Sequence, residues 1–78
     1  MKIEILGMGC PKCKKLYENA QTAVKEANVD ADVVKVEDIQ KIMNYGIMIT
    51  PAIAIDGEVK AAGRIPASAE IKQWISKS

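Results

Sequence analysis

Pro51-Ala-Ile-Ala-Ile-Asp-Gly-Glu-Val-Lys-Ala-Ala62 is the stretch that decides the fold. Two short apolar runs flank Asp56-Gly57, and a two-residue Asp-Gly loop accepts the positive φ angles that close an antiparallel hairpin. The chain on either side must then supply the partners of that hairpin.

Toward the N-terminus, Ile47 to Thr50 reads as a loop, and a short helix precedes it. Asp38 can cap this helix, Ile39, Ile42 and Met43 are its apolar positions, and Gly46 suits a left-handed end. Ala31, Val33, Val34 and Val36 form a β-branched run that predicts a mostly buried strand. Before it, Cys13, Leu16, Tyr17, Ala20, Val24 and Ala27 recur at three- and four-residue steps. Lys14, Glu18, Gln21 and Lys25 fall on the opposite side, so the segment is an amphipathic helix, with Pro11 in its first turn and Asn28-Val29-Asp30 as its break. Ile3, Ile5 and Leu6 form a first strand that stops at Gly7-Met8-Gly9. Strand, helix and strand in this order imply a parallel pair.

Toward the C-terminus, Gly63-Arg-Ile-Pro66 turns the chain, and Ser68 or its neighbours start a last helix with Ile71, Trp74 and Ile75 on one face. The predicted order is β-α-β-α-β-β-α, an α/β class with no repeats and no linkers.

Composition sets the outer limits. The 78 residues fit one domain, residues 1–78, that buries about 60% of its unfolded surface. Apolar residues make up 49% and charged residues 27%, a globular, soluble balance. Eleven Lys plus Arg against ten Asp plus Glu leave a net charge of +1, which gives no broad electrostatic reason to expect nucleic acid or an anionic membrane as partner. The uncharged run from Ile42 to Ile55 is shorter than a bilayer span and is broken by Asn44, Gly46, Thr50 and Pro51. The start, with Lys2 and an apolar cluster before Cys10, faintly resembles a lipoprotein signal, but Glu4 interrupts it. A cytoplasmic monomer is therefore expected. With no histidine, the chain cannot build a Ser-His-Asp or Cys-His site, nor offer imidazole to zinc.

The chemistry falls to two cysteines. Cys10-Pro11-Lys12-Cys13 sits where a strand and glycine loop become a helix, so Cys10 stands at or next to the N-cap and Cys13 one turn inside. Backbone N–H groups at a helix start carry roughly half a positive charge and lower a thiol's pKa from about 8.5. Cys10 is accordingly the candidate nucleophile, with Pro11 and Lys12 as residues that tune it. Lys12, Lys14 and Lys15 occupy the first turns with no acid before Glu18, although cations are disfavoured at that end of the dipole. They either support a thiolate, attract an acidic partner surface, or form a solvated lysine face. In a reducing compartment, cysteines this close are redox-active or metal-binding more often than structural. Met8-Gly-Cys-Pro-Lys-Cys13 also fits MxCxxC, which resembles the Cu(I) loop of copper chaperones and heavy-metal-associated domains. Those domains run β-α-β-β-α-β and end on a strand, so the order of elements here argues for redox chemistry.

Taken together, Gly9-Cys-Pro-Lys-Cys13 at the strand-to-helix junction, Ile49-Thr50-Pro51 before the hairpin, Asp56-Gly57 within it and Ala62-Gly63-Arg64 before the last helix resemble the thioredoxin superfamily. The likeness is to its small single-domain, thioredoxin/glutaredoxin-like redox-active disulfide proteins of archaea and bacteria. The resemblance covers nearly the whole chain and implies a four-stranded mixed central sheet flanked by three helices. It implies a Cys10–Cys13 disulfide that opens and closes, Cys10 attacking and Cys13 resolving. An X-Pro bond is cis in only about 5% of cases, so a cis Pro51 facing the nucleophile is an implication of the family alone. So is the role of Thr50, whose backbone would pair with an extended substrate segment.

Glu4, six positions before Cys10, matches the acid that accepts the second cysteine's proton in thioredoxins, while the alternation of Lys2, Ile3, Glu4 and Ile5 reads as an exposed strand face. The tryptophan that precedes a thioredoxin CGPC is absent. CPxC is closer to glutaredoxin, whose glutathione loop Gly63-Arg-Ile-Pro66 does not match. The implied activity is disulfide exchange with protein substrates, with an unidentified reductase as electron donor and no metal or other cofactor.

Overall fold

The structure, a computed structural model, describes residues 1–9, 11–47 and 49–76. Its elements are β1 (Lys2–Leu6), α1 (Pro11–Ala27), β2 (Asp32–Val36), α2 (Ile39–Asn44), β3 (Ala52–Ile55), β4 (Glu58–Ala62) and α3 (Ser68–Ile75). The four strands form one mixed sheet in the order β2-β1-β3-β4, with β1 parallel to β2 and antiparallel to β3. This is the β-α-β-α-β-β-α thioredoxin-like architecture expected.

Strand alternation divides the core into two layers. Ile3, Ile5, Ile53 and Ile55 face α1 and α3, where they meet Leu16, Ala20, Ala23, Ile71 and Ile75. Leu6, Ala52 and Ala54 face the other way and meet Val36, Ile42 and Ile47. A bulge opposite Ile53/Ala54 leaves Lys60 without a partner in the ladder. The extra residue lets Ala61 join the first layer while Val59 packs on the second.

Local chemistry accounts for the ends of the elements. Asp38 caps α2, its side chain accepting from the Gln40 N–H at 2.9 Å. Gly46, at φ +75°, donates its N–H to the Met43 carbonyl and stops the helix. Asp56 and Gly57 both have positive φ (51° and 86°), as the hairpin turn requires. The α3 helix starts at Ser68 behind Ala67, with no side-chain cap. Its first turn is held by Arg64, which grips Glu70 with two N–H groups at 3.0 and 2.7 Å. That guanidinium holds the Glu70 carboxyl below its ordinary value.

Two packing expectations are corrected. β2 is an edge strand in which only Val36 is buried, because it pairs with β1 on one side alone. In α2 only Ile42 is buried, while Ile39 and Met43 are 58% and 65% exposed. Ile42 meets the layer of Leu6, Val36 and Ala52, and the helix leaves Ile39 and Met43 largely to solvent.

Candidate active site

The site forms where β1 and β2 end and α1 begins. The Gly7 N–H donates to the Val36 carbonyl at 3.1 Å, extending the parallel ladder one residue past Leu6. Alternation turns Gly7 to the side of Ile3 and Ile5, under the first turn of α1. Pro11 opens that helix, where a missing N–H costs nothing. Cys13 follows in its first turn and is only 6% exposed.

Glycine at position 7 is required by space. A Cβ there would lie 2.1 Å from the Cys13 sulfur, 3.3 Å from its Cβ and 3.8 Å from the Thr50 Cβ. The Cys13 sulfur thus occupies the volume that any other residue at position 7 would fill. The same distances put Thr50 Cβ within about 6 Å of that sulfur.

Thr50 is exposed, Pro51 is buried, and the peptide bond between them is cis. The Pro51 carbonyl accepts the Gly63 N–H at 2.9 Å. Gly63 has φ +77°, and a Cβ on it would come within 2.9 Å of Ile49 Cγ2. The turn after β4 therefore braces the loop that carries Thr50. Ile49, 62% exposed, directly precedes Thr50, and Met8, 61% exposed, lies two residues before Cys10 in the sequence.

A cleft of about 150 Å³ opens beside Cys13, floored by Ile5 and Gly7 and edged by Gly9, Lys14, Lys35 and Glu37. The Lys35 Nζ lies 4.7 Å from the Tyr17 ring centroid, a cation–π contact. A Cβ on Gly9 would lie 2.9 Å from Glu37 Oε2, so that carboxylate leans over the cysteine loop.

Glu4 is on the other face of the sheet. Its carboxylate accepts the Tyr45 hydroxyl, beside the α2 layer. This bond, then burial, then the negative charge itself push the Tyr45 phenol above its ordinary value.

The structure therefore brings Cys13, Thr50 and Pro51 together and sets Glu4 across the sheet from Cys13. Pro11 and Lys12 are exposed at the helix start. Cys10 lies outside the described residues. Among the described residues no three of His, Cys, Asp and Glu gather where they could hold a metal ion, and no helix is long and apolar enough to cross a membrane.

Sequence reasoning missed Gly7, Gly63, Lys35, Glu37 and Tyr45 as neighbours of the functional residues. One signal was available for Gly7: it ends a strand of alternating character on the side that the CxxC helix must cover. Gly63 is marked by its place in Ala62-Gly63-Arg64, though its contact with Ile49 is not, and nothing local marks Lys35, Glu37 and Tyr45.

An open α/β sheet with a cysteine seated at a strand-to-helix junction and a cis-proline loop beside it is the architecture of the thiol–disulfide oxidoreductases built on the thioredoxin fold. Residues 1–76 match the thioredoxin domain family model, and the chain belongs to that family. It is 42% identical over 76 residues to a thioredoxin of Methanothermobacter thermautotrophicus, covering 97% of this chain and 99% of the relative. To a thioredoxin of Methanocaldococcus jannaschii it is 44% identical over 71 residues, covering 91% and 81%. A probable thioredoxin of Methanothermobacter marburgensis is 38% identical over 80 residues, covering 97% and 93%.

Proposed function

We propose that this chain, acting as a single cytoplasmic domain and as a monomer, exchanges disulfides with protein substrates through Cys10 and Cys13. The observation that carries this reading is the seat of the Cys13 sulfur, wedged against Gly7 and within reach of Thr50 ahead of the cis bond to Pro51. A resolving cysteine needs shielding from solvent and a fixed position, and Cys13 has both, three residues after Cys10 in the sequence.

In the reaction, the Cys10 thiolate attacks one sulfur of a substrate disulfide, and the other sulfur leaves as a thiolate that takes up a proton. Cys13 then loses its proton and attacks the Cys10 sulfur. The mixed disulfide breaks, the substrate departs as a dithiol, and a Cys10–Cys13 disulfide remains. Two electrons have passed to the substrate, and an external reductase restores them. Pro11 and Lys12 tune Cys10 at the helix N-terminus. The Thr50 backbone, positioned by Pro51, takes the extended substrate segment as an added strand. Glu4 is the proposed proton acceptor; lying across the sheet from Cys13 and holding the Tyr45 hydroxyl, it takes the proton through solvent and not by direct contact.

The test is a redox titration of metal-free protein in defined thiol–disulfide buffers, read by alkylation and mass spectrometry. A reversible two-electron transition between Cys10 and Cys13 is expected. Cys13→Ser should accumulate mixed disulfides through Cys10, and Cys10→Ser should abolish turnover. A dithiol that never closes, together with stoichiometric Cu(I) held against strong chelators, would replace this reading with a soft-metal carrier using Met8, Cys10 and Cys13.

A further inference from the structure

The chain carries almost no net charge, yet its topology sorts the charges by end. β1 and β2 run parallel, so Leu6 and Val36 end together at the cysteine loop, while Lys2 and Asp32 begin together at the far end. β3 returns antiparallel, which places the Asp56-Gly57 turn at the far end, where the Asp56 N–H meets the Lys2 carbonyl. α1 starts at the cysteine loop, and its C-terminal residues lead into β2.

At the far end stand Glu26, Asp30, Asp32, Asp56 and Glu58, against Lys2, Lys25 and Lys60. At the cysteine end stand Lys12, Lys14, Lys15 and Lys35 on the α1 side and Lys41 on the α2 side, against Glu37 and Asp38, with Arg64 and Glu70 neutralising each other. The Asp38 carboxylate is engaged as the α2 cap. Lys12, Lys14 and Lys15 are all exposed, and α1 has no acid in its first turn. The ion pairs among the described residues are Lys60–Glu58 and Arg64–Glu70, and neither neutralises this cluster. Lys12, Lys14 and Lys15 oppose the dipole of α1, while Lys35 rests on the Tyr17 ring and Lys41 sits in the last turn of α2. The molecule thus carries an excess of lysines around the Cys13 end of α1 and an excess of acids at the opposite pole.

We infer that the protein substrates of this chain carry acidic residues beside the disulfide that is exchanged. The inference rests on the oxidoreductase reading and adds the class of partner. Opposite fields on two approaching surfaces raise the encounter rate by ten- to a thousandfold at low salt and orient the collision. Here the field directs an acidic surface to the cysteine end and turns it away from the hairpin end.

The experiment starts from the reduced protein and measures, in a single turnover, the second-order rate constant for reduction of two peptides that share one internal disulfide, flanked by Asp and Glu in one and by Lys in the other. Each value is divided by the peptide's rate with dithiothreitol, which removes the flanks' own effect on disulfide reactivity. At 10 mM salt the normalised ratio of acidic to basic peptide should be about 10, and it should collapse toward 1 at 0.5 M, where screening shortens the field to a few ångströms. Lys14→Glu/Lys15→Glu should bring the low-salt ratio to 1 or below. Lys2→Glu/Lys25→Glu, the same change in net charge at the far end, should leave it near 10.

A ratio of 1 in the wild type at low salt, or equal loss in both double variants, overturns the inference. Binding to phosphatidylserine vesicles or duplex DNA with no peptide preference overturns it as well, assigning the lysines to a phosphate surface. Hydroxyethyl disulfide, which is neutral, separates the two levels of argument. Wild type that reduces it but does not distinguish the peptides refutes only the partner class. Wild type that reduces no disulfide refutes the oxidoreductase reading and the steering with it.

Discussion

Gly7→Ala tests the seat of the Cys13 sulfur. The added methyl would arrive 2.1 Å from Sγ and 3.3 Å from the Cys13 Cβ, where unstrained contacts need about 3.5–4.0 Å. The sulfur contact is short by roughly 1.5–2 Å, and only two movements relieve it. Cys13 can rotate its sulfur away from β1, or the start of α1 can lift from the strand end. Both Gly7 and Cys13 are buried, so either movement disturbs packed neighbours.

Overpacking of this kind costs about 1–3 kcal/mol, offset by about 0.4–1 kcal/mol from the stiffer unfolded chain. A net loss of about 1–2 kcal/mol lowers Tm by roughly 5–15 °C in a domain of this size. The assay is a thermal melt of the reduced protein, followed by alkylation with peptide mapping to read Cys13 separately from Cys10. Lifting of the helix appears as the lower Tm. Rotation of the sulfur appears as faster Cys13 labelling with a smaller change in Tm. An alanine variant that melts with the wild type and labels Cys13 at the wild-type rate would refute the placement of that sulfur.

Further outcomes follow from the same geometry. Tyr45→Phe removes the hydroxyl donated to Glu4 and should cost about 1 kcal/mol in denaturant unfolding at pH 7. Because the Tyr45 pKa is raised in the folded protein, its contribution is complete below pH 10 and lost as pH rises through the raised value. The gap between wild type and Tyr45→Phe should therefore narrow above pH 10; a constant gap would contradict the bond. Glu4→Gln should slow the decay of the mixed disulfide in rapid-quench experiments while leaving Cys10 alkylation unchanged. Glu37→Gln is the comparison, since Glu37 shares the Cys13 cleft, and slowing in that variant alone would transfer the proton to Glu37. Leu16→Ala, at a fully buried position, should cost about 2–5 kcal/mol. Met43→Ala, on the exposed side of α2, should stay within about 0.5 kcal/mol of wild type by the same melt.

The order of elements was legible because each signal is local. Asp56-Gly57 closes the hairpin by backbone preference alone, Pro11 and Gly46 mark helix ends for the same reason, and the 3.6-residue period of Leu16, Tyr17, Ala20 and Val24 needs no neighbour to be read. The burial of β2 and α2 was misjudged because a run of valines looks alike in a central strand and an edge strand. Only the order β2-β1-β3-β4 shows that one side of β2 has no partner.

The same division runs through the site. The sequence by itself determined which groups are available for chemistry: two cysteines three residues apart, no histidine to compete, and a proline before the hairpin. What touches those groups was decided by the tertiary structure. Gly7 is a spacing requirement only because Cys13 folds back onto it, and Gly63 matters only because the turn after β4 lands on Ile49. Glu4 lies across the sheet from Cys13 and meets Tyr45, 41 residues away. A strand's two-residue alternation tells which residues share a face, but which helix covers that face depends on packing between segments distant in the chain.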